Sequence, residues 1–150
     1  MSGTTSSAAP DELIAALLAV AGAENAAIYG YSVAGAHLDA HDRAVARGHY
    51  DTHRAQLQAV TGWLSDRGAT PSPPPAVYAL PKRVTDAASA SALLVQLEET
   101  TAARYADLVA VADGSLRRAA ALALQGAAVR QERWSGHCVP FPGLTGRLPS

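Results

Sequence analysis

The sequence predicts an all-α protein, a four-helix up-down bundle with one long crossover between helices 2 and 3, and three observations predict it. Apolar residues recur in an alternating four-and-three spacing through four separate segments, the seam of helices packed side by side. A proline-dense stretch, GATPSPPPAVYALPKRVT at 68–85, holds five prolines and cannot be helical throughout. The other two breaks between helical segments are short, so helices 1 and 2, and helices 3 and 4, form antiparallel pairs.

The first helix is predicted to begin near Pro10, Asp11 and Glu12, where proline suits a first turn and acids complement the positive end of the helix dipole. It runs to about Asp39, with Leu13, Leu17, Val20, Glu24, Ala27, Tyr31, Ala34 and Leu38 on one stripe. The second helix, roughly 41–67, carries Val45, His49, His53, Leu57, Val60 and Leu64 on its apolar face and stops at Gly68. A connection of about 18 residues can span about 60 Å when extended, against about 42 Å for a 28-residue helix, so it can traverse the bundle. The third helix starts at Thr85 or Asp86 as N-cap and carries Leu94, Glu98, Thr101, Tyr105, Leu108 and Ala112. The turn at Asp113, Gly114 and Ser115 then leads into a fourth helix ending near Trp134, with apolar Leu116, Leu122, Leu124 and Val129 diluted by alanine. Residues 1–10 read as a disordered N-terminus, 11–136 as one domain, and 137–150 as a tail that packs through Val139, Phe141 and Leu144 or frays.

Composition limits the function. One phenylalanine in 150 residues leaves a core of Ala, Leu and Val, and a net charge of −1 lacks the concentrated basic excess that nucleic acid requires. The single cysteine, Cys138, excludes an internal disulfide, and the first residues lack a basic segment followed by an apolar one. The longest weakly polar run, 13–23, falls short of the roughly 20 strongly apolar residues of a membrane span. These features give the expectation of a cytoplasmic protein with neither nucleic acid nor membrane as partner, and an alanine-rich bundle with apolar faces left over is expected to be a homodimer. Gly22, Gly30 and Gly35 lie inside helix 1 and suggest close helix contact, with GYSVAG at 30–35 a candidate packing or dimer surface.

Glu24 and Glu98 each stand on a core stripe seven residues before a tyrosine, Tyr31 and Tyr105, so each helix pair reads as half of a pseudo-symmetric bundle. A buried carboxylate needs a partner, and Arg130, on the stripe of Leu116, Ala120, Ala123, Ala127 and Trp134, is the candidate structural ion pair for both glutamates; His53 is the other candidate cation. Tyr29, Tyr31, Tyr50 and Tyr105 read as core tyrosines satisfied at their hydroxyls. His37, His41 and His49 cluster near the first turn, where His37 and His41 could chelate a metal if the helix continued through Asp39; a solvated helix end with Asp39 and Asp42 as caps is the competing reading. Cys138, beside His137, has no visible scaffold for a catalytic thiolate.

AENAAIYGY with Glu24, His53-Arg54, RGATP at 67–71, YALP, VTDAASA, LEE at 97–99, and the terminal RW and FPGL together resemble the ferritin-like superfamily, in particular an uncharacterised branch of alanine-rich actinobacterial ferritin-like domains. The resemblance implies a di-iron or di-manganese centre, built from one Glu on each of two helices and Glu-x-x-His on each of the others. Glu24 and Glu98 match the single glutamates and His53 a histidine, but Tyr50 stands where its glutamate belongs, and helix 4 offers neither histidine nor central carboxylate. The reading that follows is a degenerate di-metal site in a binding or structural module, not an enzyme, with no cofactor expected. The alternatives are a metal-dependent oxidoreductase or iron-handling protein using Glu24, His53 and Glu98 with iron or manganese, and a carrier of a small apolar ligand.

Overall fold

Alanine, leucine and well-placed caps divide the chain into four helices: α1 (Ala8–Gly35), α2 (Ala40–Ser65), α3 (Ala87–Val111) and α4 (Gly114–Ser135). The computed structural model describes residues 8–135. The tail positions Cys138, Val139, Phe141 and Leu144 and the first seven residues lie outside them. Among the described residues no strand occurs, in agreement with the all-α four-helix expectation.

The helix ends follow local chemistry. Asp86 caps α3, accepting from Ser89 N at 2.8 Å while the Ser89 hydroxyl returns to the Asp86 backbone, a reciprocal capping box. The residue at the end of the first helix differs from expectation. Asp39 is not its last turn but the N-cap of α2, with its side chain on Asp42 N at 2.8 Å. The end of α1 tightens through His37 N to Ala34 O at 2.9 Å, and Arg43 takes the loose carbonyls of Gly35 and Leu38 at 2.9 and 2.8 Å. His37 and His41 therefore do not share a helix. Gly68, at φ 69°, lets Ala69 N return to Leu64 O at 2.9 Å as the chain leaves α2.

Contacts fix the directions. Tyr31 meets Glu98 while Glu24 meets Tyr105, so numbers fall on α3 as they rise on α1 and the two run antiparallel. Tyr31 meets His49 and Glu24 meets His53, so α1 and α2 are also antiparallel. It follows that α3 runs parallel to α2 and residues 66–86 must traverse the bundle, as the prolines foretold. The closest helix pairs are α1 with α2, α1 with α3, and α3 with α4.

The two halves repeat with an offset of 74 positions. Glu24 maps to Glu98, Tyr31 to Tyr105, Asp39 to Asp113 and Arg43 to Arg117. The turns repeat in detail: Arg43 Nε takes Gly35 O at 2.9 Å and Arg117 Nε takes Val109 O at 3.2 Å. Each half is a helical hairpin with the same brace across its turn.

The core splits into two apolar clusters. One gathers Leu17, Val20, Val60, Leu64, Leu108 and Leu116; the other gathers Ala27, Ala34, Leu38, Leu93, Leu94 and Trp134. Leu122 and Val129 do not join either, being 63% and 66% exposed on the outer face of α4. By length and composition α1 is apolar enough to cross a bilayer, with a mean hydropathy of 1.6, which the sequence reading did not anticipate. Its inward stripe, including Glu24 at 0% exposure, packs on α2 and α3 as a core helix.

Of the three glycines expected at close contacts, Gly30 alone faces one: a Cβ there would run into Leu97 Cδ1, whereas Gly22 and Gly35 face nothing within 4 Å. Overpacking costs about 1–3 kcal/mol and the gain in helix propensity is about 1 kcal/mol. Gly30→Ala is therefore expected to destabilise the fold by about 1 kcal/mol, and Gly22→Ala to stabilise it by a similar amount. Urea denaturation of the two variants measures both signs.

Candidate functional site

Between the two apolar clusters lies a buried polar layer to which all four helices contribute. The alternating spacing that aims leucines inward aims Glu24 from α1, His53 from α2, Glu98 and Thr101 from α3, and Arg130 from α4 into the same layer; the first four are fully buried and Arg130 is 7% exposed.

His53 occupies the middle. Its Nδ1 lies 2.6 Å from Glu24 Oε2 and its Nε2 lies 2.9 Å from Glu98 Oε1. Carboxylate oxygens only accept, so both ring nitrogens must donate, and the group is an imidazolium. Burial opposes that charge, but the hydrogen bonds His53 donates to Glu24 and Glu98 outweigh it and hold the His53 pKa above its ordinary value. Arg130 Nε donates to Glu98 Oε1 at 2.9 Å. Its guanidinium meets Glu98 alone, so the group that spans both carboxylates is His53. Burial would raise the Glu98 carboxyl, yet the hydrogen bond and charge of His53 and the charge of Arg130 hold it below the ordinary range.

Two tyrosines close the layer crosswise. Tyr105 of α3 donates to Glu24 Oε1 of α1, and Tyr31 of α1 donates to Glu98 Oε1 of α3, each at 2.6 Å. Burial, and then the facing glutamate, push both phenols far above their ordinary pKa, so they remain donors. Trp134 Nε1 donates to Tyr31 Oη at 3.0 Å and approaches His49 Nδ1 at 3.3 Å. His49, lowered to about 4 chiefly by burial, stays neutral and can accept.

Three atoms of the layer, Glu98 Oε2, Thr101 Oγ1 and Arg130 Nη2, have no partner among the described residues. The donor set does not fit two metal ions. Both oxygens of Glu24 and both nitrogens of His53 are engaged, the Glu98 carboxylate is already paired with a guanidinium, and α4 adds a cation where a second carboxylate would be needed. Among the described residues no three His, Cys, Asp or Glu side chains are disposed to hold an ion. What the arrangement does is neutralise: two carboxylates face two cations in a buried layer.

The sequence-predicted residues Glu24, His53, Glu98 and Arg130 thus converge. Trp134 and His49 were not anticipated as parts of the network; Trp134 already stood on the Arg130 stripe and His49 on that of His53, which was the available signal. Gly126 makes room for the guanidinium, since a Cβ there would stand 3.1 Å from Arg130 Nη1.

Opposite signs are expected on either side of the layer. Arg130→Met leaves Glu98 short of a cation and should destabilise the fold by about 3 kcal/mol. Thr101→Val removes an unpartnered buried hydroxyl and should be neutral or stabilising by about 1 kcal/mol. Thermal unfolding compares the two. The pH profile follows from the shifts. The raised His53 contributes stability that is fully present below its unfolded pKa of about 6.5 and is lost as pH rises through its folded value. The lowered Glu98 contributes stability that is present above about 4.5 and is lost as pH falls through its folded value. Urea midpoints measured against pH should peak between these limits, and His53→Gln should flatten the alkaline limb.

A crystal structure titled as that of a conserved hypothetical protein, rv2844, from Mycobacterium tuberculosis is similar to this chain, with a TM-score of 0.83 and 29% identity over 95% of this chain and 96% of that one. No curated protein matches. A family model matches residues 16–146, which span the whole buried layer, and the chain belongs to that family, described as Domain of unknown function (DUF4439).

Proposed function

We propose that the chain is a degenerate member of the ferritin-like superfamily in which protein cations have replaced the two metals, and that it works in the cytoplasm as a binding or structural module, not as an enzyme. One observation carries this reading: both nitrogens of His53 are spent on the two carboxylates that would otherwise bridge metal ions, at 2.6 and 2.9 Å. A histidine protonated on both nitrogens has no lone pair to offer a metal. The missing carboxylate on α4, with Arg130 in its neighbourhood, points the same way.

The metal-dependent reading, with one ion held by Glu24, His53 and Glu98, has the free Glu98 Oε2 in its favour. It requires His53 to lose a proton and to turn from one of its carboxylates. Reading the chain as a homodimer is supported by Leu122 and Val129, exposed about two turns apart on α4.

Elemental analysis decides between the readings. Protein produced with added iron and manganese and purified without chelator is expected to hold less than about a tenth of an equivalent of either. About one equivalent, lost in Glu98→Ala, would establish the metal reading instead. Nitrogen NMR gives an independent check: at pH 6 both ring nitrogens of His53 should carry protons, and a bare one would overturn the proposal.

A further inference from the structure

The side chains of the polar layer are buried, but the face beside it is open. Between the last turns of α1 and the first half of α2 lies a cleft of about 780 Å³, within the range of small-molecule sites. Asp51 and Arg54 are shared with a second cleft of about 800 Å³ further along the same helices. The space exists because small residues line α1 here: a Cβ at Gly35 would meet nothing within 4 Å.

The lining is unlike a lipid or hydrocarbon site. Arg43, Arg47 and Arg54 face one acid, Asp51, in a chain whose net charge is −1. Arg43 is held in place by two backbone carbonyls. Arg47 and Arg54 form no ion pair, with Asp51 or any other carboxylate of the described residues, although Asp51 is within helical reach of both. Two cations are therefore left without a counter-charge beside an aromatic wall. Tyr50 is half-buried, with the Arg54 guanidinium 5.9 Å from its ring centre, and the buried Tyr31 also borders the cleft.

We infer that this cleft binds a small aromatic anion, a carboxylate, sulfonate or phosphate on a planar body, with Arg47 and Arg54 taking the charge and Tyr50 the ring. Guanidinium groups pair with such oxyanions through a planar fork, and a tyrosine face stacks on the ring they carry. The inference rests on the reading of the bundle as a binding module and names its ligand class. It replaces an apolar cargo with a charged one, because two unpaired arginines would have to be desolvated for nothing by a hydrocarbon.

The probe is 8-anilinonaphthalene-1-sulfonate, whose fluorescence reports binding. Titration of the full chain should show saturable one-to-one binding. Arg47→Gln/Arg54→Gln, both on exposed positions, should weaken it at least tenfold with an unchanged thermal melt by circular dichroism. Lys82→Gln/Arg118→Gln, which removes the same charge elsewhere, should leave it unaltered. Equal binding by the cleft variant, equal loss in the control variant, or an absence of saturable binding would each overturn the inference. Neutral N-phenyl-1-naphthylamine binding as tightly as the dye would overturn the need for an anion, and inorganic phosphate binding as tightly would overturn the need for a ring. Metal found in the protein would end the metal-free reading without touching these outcomes, since no cleft arginine contacts Glu24, His53 or Glu98.

Discussion

Two carboxylates buried at the middle of a helical bundle are the constraint from which the rest follows. An isolated ionised carboxylate in a low-dielectric interior is penalised by many kcal/mol, so the fold exists only if positive charge is delivered to the same place. His53 and Arg130 deliver it, and they come from α2 and α4, which do not form one of the three closely packed helix pairs. The electrostatic layer thereby ties α2 to α4 through the Glu98 carboxylate, and the Asp42 to Arg133 pair at 2.6 Å and the His49 to Trp134 ring contact link the same two helices.

The tyrosines convert that charge balance into geometry. Tyr31 and Tyr105 each reach across to the glutamate of the other helical hairpin, so neither half can shift along the other without breaking two short hydrogen bonds. Approximate symmetry produces this reciprocity, and its breakdown tells more. At the 74-residue offset, His53 corresponds to Ala127 and Arg130 to Gln56. A symmetric two-metal centre needs equivalent ligands on α2 and α4. Here each of those helices supplies one cation from a different turn, which suits two carboxylates that must be neutralised and does not suit two metal ions. The buried Gln56 Oε1 and the free edge of Glu98 and Arg130 are where the asymmetric solution leaves polar atoms unpaired.

The arginine-lined cleft between α1 and α2 shares Tyr31 with the buried layer, where the tyrosine hydroxyl donates to Glu98, so surface and core are in contact through one side chain.

Much of this was legible in the residues themselves. Hydrophobic spacing determined four helices and put Glu24, His53, Glu98 and Arg130 on core stripes, and the prolines of 68–85 determined the crossover, because both depend on local periodicity and backbone restriction. Helix ends were legible to within a few residues; the apolar stripe of α1 continues through Leu38 and carried the expected helix on to Asp39, whereas its carboxylate caps the amino end of α2, where the helix dipole favours it, and Arg43 braces the last carbonyls of α1. Glycine by itself could not reveal which of its positions touched a neighbour, since a missing Cβ records room only when something fills it, as Leu97 does at Gly30 and nothing does at Gly22. The sequence by itself determined that two carboxylates are buried and need cations. Only the tertiary structure decided that His53 bridges them, that Arg130 serves Glu98 alone and that the tyrosines cross over, because hydrogen bonds of 2.6 to 2.9 Å depend on the rotation and offset of helices relative to one another, which no single helix encodes.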